Sequence, residues 1–150
     1  MSKTDHLYHL IWMSRPLMQA AEASVEKGLE GTGLTVRMRA VLEVLHAQGD
    51  ATVPDIAHRL DIKRQYVQLM VNETLADGLT VRRANPRHKT STLIALTDQG
   101  RALIDGVIAR ERALVADLGA DIDATDVETA LKVVLTLVER LKPDAQGSSE

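Results

Sequence analysis

At 150 residues, 45% of them apolar, the chain is long enough for one compact domain or two small fused lobes, but aromatics are only 2%, so Leu, Val, Ile, Met and Ala must build the core. No apolar run approaches the roughly 20 residues of a membrane span, no secretory signal is visible, and the lack of cysteine excludes disulfides, thiolate metal sites and thiol redox sensing, which makes the reducing cytoplasm the expected location. The net charge of −3 argues against a polyanionic partner, yet residues 59 to 89 carry seven Lys or Arg against three Asp or Glu, a basic block in an otherwise acidic chain.

Leu7, Leu10, Ile11, Leu17, Met18, Ala21 and Val25 recur at spacings near three and four, which predicts an amphipathic helix over 5–29 with a bend at Pro16. Gly28, Gly31 and Gly33 mark its exit. Thr35 is the expected N-cap of a helix through His46 with Met38, Val41, Leu42 and Leu45 on one face, and Gly49-Asp50 is a turn. Thr52-Val-Pro-Asp55 reads as a capping box opening a short helix to Leu60. After the tight Asp61-Ile62 connection, a helix is expected from Lys63 to Ala76 with Val67, Met70 and Val71 inward, closed by Gly78. Residues 79–84 and 91–96 alternate as two strands around the polar tip Asn85-Pro86-Arg87-His88-Lys89. Thr97 is the expected cap of a helix to Leu118, and Thr125-Asp-Val-Glu128 reads as a capping box for a last helix to Leu141. The tail after Pro143 is polar and expected to fray.

Helix, turn, helix and basic hairpin over residues 53–97 form the informative segment. A helix-turn-helix places its second helix in the major groove of DNA, and a cationic hairpin beside it supplies phosphate or minor-groove contacts. The terminal helices, over 5–29 and 100–142, carry more apolar surface than exposed ends need. They either fold back on their own chain or pack against a second copy; two copies would present two reading heads to a palindromic site.

The order and spacing of several markers, covering nearly the whole of residues 1–150, resemble the MarR family of winged helix-turn-helix regulators. The markers are Leu34-Thr35, Asp55-Ile-Ala57, Lys63-Arg-Gln65, Gly78-Leu79 and Leu96-Thr97-Asp-Gln-Gly100. The resemblance implies a mainly α chain with a two-stranded wing, a winged helix-turn-helix lobe over 35–97, and dimerisation through the N- and C-terminal helices. It implies a homodimer with recognition helices in successive major grooves of a pseudo-palindromic operator on double-stranded DNA, wings on the flanking backbone or minor groove, and transcriptional control often relieved by small ligands. The sequence departs from the family pattern in three respects. His88, Lys89 and Thr90 stand where relatives often carry Asp-Arg-Arg, Leu69 where a basic residue is common, and Thr74 where a buried leucine is usual.

Candidate DNA contacts are Lys63 and Arg64 to phosphate, Gln65, Gln68 and Asn72 to base edges, Tyr66 to phosphate through its hydroxyl, and Arg87 and Lys89 from the wing tip. Arg82 and Arg83 alternate across a strand, so at most one faces DNA while the other holds a structural ion pair. His9, Trp12 and Arg15, with Arg37, form a candidate pocket for a small aromatic acid; the competing reading is an interface tryptophan and surface cations. The five histidines show no convincing metal spacing, and no phosphate loop, nucleophile elbow or carboxylate pair points to catalysis or a cofactor. The expected function is a dimeric, sequence-specific DNA-binding regulator, a repressor relieved by a small ligand and not an enzyme. The alternative is a winged-helix protein-interaction module without sequence-specific DNA binding.

Overall fold

Side-chain caps set most of the helix starts. In the computed structural model, which describes residues 1–143, Ser2 and Asp5 form a reciprocal capping box that opens α1 (Lys3–Gly28), two residues earlier than periodicity alone predicts. The helix continues through Pro16. Thr35 accepts from the Met38 amide to start α2 (Val36–Gln48), and Thr52 with Asp55 starts α3 (Val53–Leu60). Asp61, at φ 55°, turns the chain into α4 (Arg64–Ala76). Strands β1 (Thr80–Ala84) and β2 (Thr92–Leu96) precede α5 (Asp98–Leu118) and α6 (Ala124–Leu141). The last helix departs from the expected start: Asp123 is its cap, accepting from the Thr125 and Asp126 amides. A carboxylate one residue before the helix satisfies two orphan amides at once, so Thr125 falls inside the first turn. The polar tail beyond Pro143 lies outside the described residues.

One aliphatic core joins α2 to the reading motif. Val41, Leu42 and Val44 of α2 are fully buried with Ile56 of α3, Val67 and Val71 of α4, and Ile104 of α5. β1 and β2 pair antiparallel with Thr80 opposite Leu96 and Ala84 opposite Thr92. Ala51 adds a short bridge on the other side of β2, exchanging two backbone hydrogen bonds with Ile94. The strand pair is therefore anchored to the turn before α3 and cannot swing as a free hairpin.

The chain divides into two units, residues 1–112 and 113–150, with the division inside α5. In the first, α5 is tied to α2 by the Arg39 guanidinium, which donates to both carboxylate oxygens of Glu111 at 2.6 and 2.5 Å, and by His46 Nε2 at 2.9 Å from Asp105. The carboxylate of Glu111 raises the Arg39 guanidinium further above its ordinary value against the opposing effect of burial. No side chain of α1 in the first unit or of α6 in the second is fully buried, although Val25 of α1 packs partly buried against the core. Trp12, Met13 and Leu17 of α1, and Val127, Leu131, Leu135 and Val138 of α6, are all exposed.

Candidate nucleic-acid interface

The buried side of α4 is Val67, Met70, Val71 and Thr74, so helical phase alone turns Arg64, Gln65, Gln68, Leu69 and Asn72 to the surface. Thr74, expected from the resemblance to be an apolar position, is fully buried and fully satisfied. Its hydroxyl donates to the Val71 carbonyl at 2.7 Å and lies 2.9 Å from the Thr80 hydroxyl of β1. On the outer face the Gln68 amide donates to the Asn72 side-chain oxygen at 2.9 Å, which holds the two amides together and leaves Gln65 free beside them.

The start of α4 carries cations where the helix dipole favours anions. Lys63 is the N-cap, makes no side-chain cap bond, and is followed by Arg64, both exposed. A phosphate seated there would accept from the unpaired amides and neutralise both side chains. Tyr66, on the flank of α4, stands beside the Arg37 guanidinium, which donates to Glu73 at 3.1 Å. Glu73 raises Arg37 above its ordinary value, with Tyr66 adding to the effect.

The wing tip is shaped by Asn85. Its side-chain oxygen accepts from the Arg87 amide and its nitrogen donates to Ser91, closing the turn around Pro86. Arg87, His88 and Lys89 are left exposed on that turn. Of the two strand arginines, Arg83 lies 3.5 Å from Asp50, while Arg82 has no ion-pair partner among the described residues. The wing thus presents Arg82, Arg87 and Lys89 as uncommitted cations.

The residues expected to hold an effector are differently placed. His9, Trp12 and Arg15 are exposed on α1, where Tyr8 packs edge-on to Trp12 at 6.0 Å. Arg37 is instead engaged by Glu73 and lines a cleft of about 430 Å³ with Glu26, Leu29, Glu30, Leu34, Thr35 and Val36, none of them from the α1 trio. No group of three metal-ligating side chains occurs among the described residues. Sequence reasoning missed the Arg37–Glu73 tie, which joins residues 36 apart, and the pairing of Gln68 with Asn72, for which their i, i+4 spacing was the available signal.

No family model matches the chain. A crystal structure of a MarR family transcription regulator superposes with a TM-score of 0.85 at 36% identity, covering 92% of this chain and 91% of that one. The transcriptional repressor MdtR of Bacillus subtilis is 25% identical over 145 residues, 96% of this chain and 94% of its own length. An uncharacterised protein of Mycobacterium tuberculosis is 42% identical over 66 residues, which span 44% of this chain and 45% of the mycobacterial protein.

Proposed function

The chain belongs to the MarR family of DNA-binding transcription regulators, and on that footing we propose that it is a homodimeric, sequence-specific repressor acting on a pseudo-palindromic operator in bacterial cytoplasm. The observation that carries this reading is the exposed polar face of α4 next to the uncommitted cations of the wing. Lys63 and Arg64 then hold phosphate at the start of the helix, Gln65, Gln68 and Asn72 address base edges, and Arg87 and Lys89, joined by Arg82, grip the flanking backbone or minor groove. The exposed apolar residues of α1 and α6 support dimerisation: neither helix has a fully buried side chain, and each carries several large exposed aliphatic ones. The name of MdtR supports the repressor sign.

Relief by a small anionic ligand has a physical route. Arg37 pairs with Glu73 of α4 and also lines a cleft, so an aromatic acid entering there, against the charges of Glu26 and Glu30, would compete with Glu73 for the guanidinium. His9, Trp12 and Arg15 on α1 do not line this cleft and are a separate proposed set of aromatic and cationic contacts. Fluorescence anisotropy with duplex DNA across a range of salt concentrations tests the reading. A log–log slope that reports several released counterions, together with light scattering at about twice the 16.4 kDa chain mass, is the expected result. A monomer whose DNA affinity ignores salt would favour the protein-interaction alternative.

A further inference from the structure

Steps of four and three residues set Gln65, Leu69 and Asn72 in one row down α4, on the side opposite Val67, Met70, Val71 and Thr74. Leu69 is the middle of that row and is 61% exposed. It has an amide on either side in the row, with Tyr66, 47% exposed, and Glu73 on its flank at i−3 and i+4, so it is the one large exposed aliphatic side chain of a mainly polar helix face rather than part of a broad apolar patch. Protein-docking surfaces bury a contiguous apolar centre, which this face lacks. Among the base edges in the major groove, the apolar group on offer is the C5-methyl of thymine.

We propose that Leu69 is a specificity-determining residue that packs against the methyl group of one thymine in each half-site. The inference rests on the base-reading role proposed above for α4. The neighbouring amides point the same way. Gln65 and Asn72 can each pair twice with adenine, and every such adenine brings a thymine methyl to the same groove. Gln65 to Asn72 spans about 10 Å of helix axis, close to three base-pair steps of about 3.4 Å, so an amide–leucine–amide row matches a short run of A·T pairs.

The test uses the intact protein and a duplex it selects from a random pool. Each thymine is replaced in turn by deoxyuridine, which removes the methyl group and keeps every hydrogen-bonding atom. Wild-type affinity is expected to fall about fourfold at one thymine per half-site, the factor that corresponds to about 0.8 kcal/mol for one buried methylene-sized group. Leu69→Ser is expected to bind the selected duplex more weakly and to ignore deoxyuridine at that position, whereas Leu69→Met keeps the sensitivity. The site is exposed, so both variants retain the fold. A protein that prefers its duplex over random DNA but gives a flat deoxyuridine scan overturns the role of Leu69 alone. A methyl dependence that persists unchanged in Leu69→Ser does the same. A protein without any preferred duplex overturns the base-reading role of α4 and this inference with it.

Discussion

The Thr74 hydroxyl of the recognition helix lies 2.9 Å from the Thr80 hydroxyl at the start of the wing, with both residues buried in the core. Each hydroxyl has one proton. Thr74 spends its own on the Val71 carbonyl, so Thr80 must be the donor of the pair. This is a polar joint between the two elements proposed to touch DNA.

The joint predicts an asymmetry between two similar substitutions. Thr74→Val strands the Thr80 proton in the core and should cost about 1–3 kcal/mol, the penalty of a buried unpaired donor. Thr80→Val leaves Thr74 still donating to Val71 and should cost less. The double variant should recover part of the Thr74→Val loss, because no donor is then left alone. Urea unfolding of the three variants checks this; equal losses for the two single variants would contradict this donor assignment, and a larger loss for Thr80→Val would place the proton the other way.

Gly100 predicts a larger effect. A Cβ there would sit 1.9 Å from the Leu79 carbonyl oxygen, a backbone atom that cannot rotate away. The residue is buried in the first turn of α5, where its amide donates to Thr97, and Thr97 in turn donates to the Gly78 carbonyl. Gly100→Ala should destabilise by about 3 kcal/mol or more, beyond the usual range for one added methyl. Gly106→Ala, on the same helix with open space around it, should not destabilise; thermal melts of both variants test the contrast.

Thr35, Thr52 and Thr97 announce their helices in the sequence because a cap acts over three residues, and the alternation in 79–84 and 91–96 locates the wing within one residue. Gly100 is visible as a marker of the family pattern, but its reason, the approach of Leu79, comes from a residue 21 positions away. Arg37 illustrates the limit for the site. Its charge suggests an effector pocket, while its actual partner, Glu73, is set by how α2 packs on α4. In one dimension Leu69 reads as a missing cation; its place between two amides is a property of the folded helix.

The wing tip is predicted to supply affinity without preference. Arg87→Ala combined with Lys89→Ala should weaken binding to all duplexes alike and lower the salt slope by about one unit for each phosphate that is no longer neutralised. Arg82→Ala should act in the same direction, and Arg83→Ala much less, since Arg83 is turned toward Asp50. Anisotropy titrations at several salt concentrations read both quantities; a changed sequence preference with an unchanged slope would make the wing a reader of bases.

Gln68 and Asn72 are predicted to act as a pair. Gln68→Ala should lower affinity for the selected duplex by about 1–3 kcal/mol and leave random DNA almost unaffected. Because the Gln68 amide holds Asn72 at 2.9 Å, Asn72→Ala added to Gln68→Ala should cost less than the sum of the two single losses. A double-mutant cycle on one duplex measures the coupling, and strict additivity would show that the two amides address DNA independently.

A dimer that reads sequence with two copies of α4 must leave its symmetry in the DNA it selects. Bound duplexes recovered from a fully randomised pool and sequenced should therefore show two inverted half-sites, rich in A·T pairs, with centres about one DNA turn of 10–10.5 base pairs apart or a multiple of it. A pool that shows no enriched motif, or a single half-site without its inverted copy, would contradict the dimeric reading of DNA by α4.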